Sequence, residues 1–196
     1  MRGIVLAALV GVGVAMMATA PAMAQGYDPA SRIKAQTEAM AKLAQVSGVW
    51  RGPARSLRND GTWHEITQTE RMGPMLDGGL RVIEGRGYEA DGSLSFNAFG
   101  VLSYNVDAKA YEFRSYTGGQ SGTFPWIITP TGFAWEVPAG PQMTVHYDIT
   151  LKDGVWHEVG TRVPKAGGQG VMIFEMTLKR VGDTDWPLAG AVQPKG

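Results

Sequence analysis

Apolar and polar residues alternate in short runs along most of this chain. Between 143 and 151, Met143, Val145, Tyr147, Ile149 and Leu151 point one way, while Thr144, His146, Asp148, Thr150 and Lys152 point the other, so that His146 falls on the solvated face. Leu94, Phe96, Ala98, Gly100, Leu102 and Tyr104 form a second inward row. Tyr111 with Phe113 forms a third, and Met172, Phe174, Met176 and Leu178 a fourth, with Trp126 and Trp135 extending the same wall. Turn chemistry punctuates the runs at Asn59-Asp60-Gly61, Asp77-Gly78-Gly79, Asp91-Gly92, Asn105 to Lys109, Gly118-Gly119, Pro130-Thr131-Gly132, Pro138 to Pro141, Asp153-Gly154 and Pro164 to Gly170. These breaks predict about ten strands in an antiparallel up-and-down meander that closes into a barrel or folds into a sandwich. Ahead of them, residues 29–46 read as the one helix. Asp28 is placed to cap its first amides, Pro29 suits the first helical position, and Ile33, Met40, Leu43 and Val46 give it an apolar stripe.

Two predicted strands have no apolar face. From 63 to 71, one side carries Trp63, Glu65, Thr67, Thr69 and Arg71, and the other His64, Ile66, Gln68, Glu70 and Met72. From 155 to 163, the choice lies between Val155, His157, Val159 and Val163, and Trp156, Glu158, Gly160 and Arg162. Whichever side turns inward brings an ionisable group with it. A buried carboxylate or imidazole must be paired or shift its pKa, so a polar recognition point or an acid/base group belongs on these strands. The other reading is a sheet wet on both faces, with its charges solvated.

Composition narrows the function classes. The 18 basic and 18 acidic side chains cancel and form no basic cluster, which argues against a nucleic-acid partner. With no cysteine there is no disulfide, thiolate nucleophile, zinc ribbon or iron–sulfur cluster. Residues 1–24 have the layout of a secretory signal peptide: Arg2, an apolar run from Ile4 to Met17, then Ala22-Met23-Ala24 before Gln25. Cleavage after Ala24 leaves 196 − 24 = 172 residues with no integral membrane segment, exported and placed most naturally in a bacterial periplasm. A domain of that size buries roughly 70% of its unfolded surface and needs no covalent staple.

Catalytic signatures are missing. There is no Gly-x-Ser-x-Gly elbow, His-Glu-x-x-His, phosphate loop or dinucleotide fingerprint. Gly85-Arg86-Gly87 places glycines at alternate strand positions, which suits barrel curvature better than a phosphate cradle. His64, His146 and His157 lie on separate strands, and no local spacing supports a metal site. Acid/base chemistry would draw on Glu65, Glu84, Glu136 or Glu158, with His64 or His157 beside it.

After the helix, Val46-Ser47-Gly48-Val49-Trp50-Arg51-Gly52 contains a Gly-x-Trp that resembles the opening of lipocalins and related barrels. That resemblance implies that Trp50 closes the barrel floor and that Arg180, at the end of the last strand, packs over it. Met72 to Leu80, Gly100 to Asn105 and Lys109 to Tyr111 together resemble an uncharacterised family of exported bacterial proteins with a lipocalin-like barrel, over about residues 43 to 180. It implies a fold and brings no established activity. Related ten-stranded barrels can hold haem through one inward histidine, for which His157 between Val155 and Val159 is the candidate.

The expectation is an all-β protein: an antiparallel up-and-down lipocalin-like barrel of about ten strands with one N-terminal helix. It divides into a leader (1–24), a helical segment (25–46), the barrel (47–181) and a flexible tail (182–196). Its expected role is non-enzymatic binding of a small hydrophobic or amphipathic molecule, with no resident cofactor required. Phe96, Tyr104, Phe113, Trp126, Trp135, Tyr147 and Phe174 would supply apolar contact, and Glu65, His157, Glu158 or Arg162 would orient a polar end. Two other readings stay open: a hydrolase or isomerase using a buried glutamate, and an envelope interaction module with a packed barrel and functional loops. Oligomeric state is not legible.

Overall fold

The structure, a computed structural model, describes residues 28–187; the leader and residues 188–196 lie outside the described residues. Helix α1 (Pro29–Ala41) and a 3-10 turn (Ala44–Val46) precede ten strands. These are β1 (Gly48–Leu57), β2 (Trp63–Met75), β3 (Leu80–Tyr88), β4 (Leu94–Asn105), β5 (Ala110–Thr117), β6 (Gln120–Thr129), β7 (Gly132–Pro138), β8 (Met143–Lys152), β9 (Val155–Pro164) and β10 (Val171–Gly182). Each strand pairs antiparallel with its sequence neighbours, and β1 pairs with β10, so the sheet closes on itself. The meander is therefore a barrel and not a sandwich. Closure also removes the unpaired edges that an open sheet would expose. The β5–β6 and β8–β9 hairpins each turn on two residues at positive φ, Gly118 with Gly119 and Asp153 with Gly154, as a two-residue turn of this hand demands.

The helix starts as its sequence predicts: Asp28 Oδ1 accepts from the amides of Ala30 and Ser31 at 3.1 and 3.3 Å. It stops at Ala41, five residues short of the predicted end, because the chain turns inward there to bury Leu43 and Val46 in the barrel's end. Met40, Leu43 and Val46 pack with Trp50, Met72, Leu102, Phe133 and Leu178 into the floor of the core, while Ile33 faces solvent. Polar contacts fix this plug. Tyr111 Oη donates to the Ala39 carbonyl (2.8 Å), and the buried Arg81 guanidinium to the Met40 carbonyl (3.1 Å). A cation at the carbonyl end of a helix is also favoured by the helix dipole.

The plug occupies one end of the barrel. At the other end lie the hairpins β1–β2, β3–β4, β5–β6, β7–β8 and β9–β10, which form the mouth. Among the described residues, no helix is long and apolar enough to cross a membrane.

Of the expected tail, 182–196, only residues 182–187 are described. Strand β10 runs to Gly182, and the chain then folds back onto the outside of the barrel. Arg71 pairs with Asp185 (3.0 Å) and places its guanidinium 3.9 Å from the Trp186 ring, whose edge meets Phe99 at 6.4 Å. Gly73 leaves the space that Trp186 occupies, since a Cβ there would lie 2.7 Å from the Trp186 Cβ.

Candidate functional site

The pleat resolves both ambiguous strands. On β9, Trp156, Glu158 and Gly160 turn inward, because Trp156 completes the floor edge-on to Trp50 at 5.8 Å. His157 is thereby placed outside, where its Nε2 lies 3.3 Å from Glu175, which also pairs with Arg55. On β2, His64, Ile66, Gln68, Glu70 and Met72 face in, because Ile66 and Met72 join the core on that side. Glu65 falls on the outer face, along a surface groove beside Glu175.

Above the floor the barrel is hollow, with a cavity of about 560 Å³. That volume is within the range of small-molecule sites. Its wall is a belt of aromatic rings from β5 to β8 and β10. Phe113 (β5) meets Trp126 (β6) at 5.4 Å and Trp135 (β7) edge-on at 5.1 Å. Trp135 stacks on Tyr147 (β8) with centroids 4.3 Å apart and planes 11° from parallel, and Tyr147 meets Phe174 (β10) at 6.1 Å. Space for the belt comes from glycines on the neighbouring strands: a Cβ at Gly100 would strike the Phe113 ring at 2.3 Å.

Two carboxyls reach this interior. Glu158 is 6% exposed, and each of its oxygens accepts from an indole: Oε1 from Trp135 Nε1 (3.4 Å) and Oε2 from Trp156 Nε1 (3.2 Å). Burial pushes its pKa up to about 7, against the pull of the two indole donors. Glu70, 8% exposed, accepts on Oε1 from Gln68 Nε2 at 2.7 Å. Burial first, and then the nearby charge of Glu158, push it up to about 8. Glu70 extends over Gly85, where a Cβ would lie 2.7 Å from Oε1, so this glycine makes room for the carboxyl. Tyr147 is likewise pushed up to about 12, by burial and by the charge of Glu158.

The sequence-predicted residues therefore separate. Phe96, Phe113, Trp126, Trp135, Tyr147, Phe174 and Glu158 line the cavity, with Phe96 half-exposed at the mouth. Tyr104 does not line it. It packs against Tyr111 (4.9 Å) beside the plug, since its position on β4 is level with the helix. Arg162 shares the inward side of β9 but stands exposed at the mouth end, and Glu65 and His157 are outside. Trp50 lies in the floor and donates to the Val46 carbonyl (3.0 Å), while the Arg180 guanidinium reaches the Ser47 carbonyl and Asp183 and borders Gly48.

Haem fits poorly with this arrangement. The histidine expected to ligate it is on the outer face, and His64, which lines the cavity near the mouth, is held 3.0 Å from Glu89. Among the described residues, no group of three His, Asp or Glu side chains is gathered to hold a metal ion.

Sequence reasoning passed over Glu70. The signal was present, since Glu70 shares a strand face with Ile66 and Met72, and those apolar residues fix which side is internal.

No family model and no curated protein matches this chain. Among solved structures it is similar to Rv2717c from M. tuberculosis, with a TM-score of 0.54 and 12% identity over 72% of this chain and 96% of the other. It is also similar to the S-type phycobiliprotein lyase CpeS from Guillardia theta, with a TM-score of 0.52 and 11% identity over 77% of this chain and 98% of the other. Both are ten-stranded antiparallel barrels of the lipocalin-like fold, and at these identities the likeness concerns the fold.

Proposed function

We propose that this protein is a small-molecule carrier that takes a partly apolar ligand into the barrel without covalent chemistry. One observation carries the reading: the barrel is not filled by its own side chains but retains about 560 Å³ enclosed by aromatic rings, with two carboxyls at depth. A barrel needed only as a scaffold gains stability by filling such a void, because interior packing is otherwise close to crystalline density. The aromatic belt supplies contact area. Glu158 and Glu70 give the ligand a polar anchor, while the plug closes the far end. The leader motif in residues 1–24 assigns the carrier to an exported location, the bacterial periplasm being the natural one. The phycobiliprotein lyase among its structural neighbours belongs to the same barrel class and is consistent with a small-molecule role.

Titration with the neutral fluorophore N-phenyl-1-naphthylamine tests this reading. Saturable enhancement at one site per chain, with energy transfer from the cavity tryptophans, is expected. Absence of binding by this and other lipophilic probes would overturn it.

A second reading rests on the same carboxyls, since pKa values near 7 and 8 suit general acid/base catalysis at neutral pH. It predicts turnover that follows a bell-shaped pH profile and disappears in Glu158→Gln.

A further inference from the structure

We infer that the cavity selects a ligand bearing a cationic nitrogen, a lipophilic amine seated with its ammonium on Glu70 and Glu158 and its apolar body against the aromatic belt. This deepens the carrier reading and rests on it.

The first argument is the charge of the interior. The ionisable groups deep in the cavity are two carboxyls and the Tyr147 phenol, none of them a cation. Arg55 and His64 both border the cavity, but the Arg55 guanidinium is directed outward, where it pairs with Glu175 and covers Trp63, and His64 is held by Glu89 at 3.0 Å. Arg81 shares the inward side of β3 but is turned to the plug, where it donates to the Met40 carbonyl with its Nε left unpartnered among the described residues, and it does not line the cavity. A ligand carboxylate would therefore find no free cation among the described residues to meet it and would add to the negative charge of whichever carboxyl is ionised. An ammonium would find two acceptors in a site of low dielectric, where charge-assisted hydrogen bonds are strongest.

The second argument is an unused acceptor. Glu158 has both oxygens engaged by indoles, but Glu70 accepts on Oε1 only. Among the described residues, Glu70 Oε2 makes no hydrogen bond, although the residue is more than nine-tenths buried and lines the cavity. That oxygen is open to the cavity, where a ligand donor can reach it, and the same wall carries a donor likewise orphaned, the buried Trp126 Nε1, that an acceptor elsewhere on the ligand would satisfy. The donor that completes it belongs to the ligand, and an ammonium supplies up to three. Aromatic faces around the site add further attraction for a cation.

Proton linkage follows. Glu70 is faced by Gln68 on its own strand and by Glu158 from β9. Glu84 on β3 adds to the negative charge near it, and Tyr147 on β8 faces Glu158. His64, a further titratable side chain on this wall, is held by Glu89, and no cation among the described residues offsets the two carboxyls, so at neutral pH the pair retains a proton that an arriving ammonium displaces.

The test uses three probes matched in length: 4-phenylbutylamine, 4-phenylbutan-1-ol and 4-phenylbutanoate, titrated calorimetrically into the full chain at pH 7.5. The amine is expected to bind about tenfold or more tighter than the alcohol, with the carboxylate weakest. Heats measured in buffers of different ionisation enthalpy should show release of about one proton on amine binding. Glu70→Gln should abolish the amine preference while the alcohol still binds. Equal affinity for amine and alcohol, a preference for the carboxylate, or amine binding without proton release overturns the inference and leaves the carrier reading standing. Failure of all three probes overturns both. The proton-release measurement is made on the unmodified chain and holds even if the variant fails to fold.

Discussion

Replacing Glu70 by glutamine removes a proton that the folded protein is built to retain. The carboxyl is raised from 4.5 to about 8 in the folded chain, chiefly by burial and further by Glu158. Because the folded value lies above the unfolded one, the stability that Glu70 contributes is fully present below pH 4.5 and is lost as pH rises through about 8. The gap is about 3.5, and at about 1.36 kcal/mol per unit the wild type loses on the order of 3–5 kcal/mol between those limits. Glutamine has no proton to lose, and its side-chain carbonyl can still accept from Gln68. Glu70→Gln is therefore expected to match the wild type near pH 4.5 and to exceed it increasingly up to pH 9. Urea unfolding followed by tryptophan fluorescence at half-unit pH intervals reads this directly. Parallel pH curves for the two proteins, or a variant less stable at pH 9 than the wild type, would refute the claim that this carboxyl is buried and protonated.

Other perturbations address the floor, the wall and the outside. Trp50→Ala removes the indole that meets Trp156 and caps the Val46 carbonyl, and should cost about 3–5 kcal/mol in thermal or urea unfolding; a loss under about 1 kcal/mol would remove Trp50 from the floor. Gly100→Ala forces the Phe113 ring from its place against β4, so affinity for N-phenyl-1-naphthylamine should fall while the fold persists; unchanged affinity would show that the ring does not shape the site. His157→Ala should leave probe binding unaltered and stability within about 1 kcal/mol, since it removes only a half-exposed pair with Glu175; lost probe binding would place this histidine inside the barrel.

Much of the architecture was legible because turn residues and period-two alternation report backbone geometry locally. Strands such as β8, apolar at Val145 and Ile149 on one side, declare their inner face unaided. β9 does not, because valines flank His157 on the side that faces out, and the larger Trp156 wins the interior only through Trp50 in the floor, more than 100 residues away in sequence. Glu70 was obscured by local polarity, since Ile66 and Met72 share its strand face with His64 and Gln68. Its role appears only when β2 is turned by Ile66 and Met72 and when Gly85, across the register, leaves space for the carboxyl. Tyr104 shows the other limit: alternation gives the face of a strand correctly but not the height along the barrel, and at that height lies the plug.

The hollow interior is the claim on which everything functional depends, and the side-chain indole resonances of the ¹⁵N-labelled protein test it most directly. Trp135 and Trp156 donate to Glu158 inside the cavity, whereas Trp63 and Trp186 lie beneath arginines on the outer surface. Titration with 4-phenylbutylamine should move the first pair of indole signals saturably and leave the second pair in place. Movement confined to Trp63 and Trp186, or no movement with saturating 4-phenylbutylamine and equally none with N-phenyl-1-naphthylamine, would mean that the barrel admits no guest.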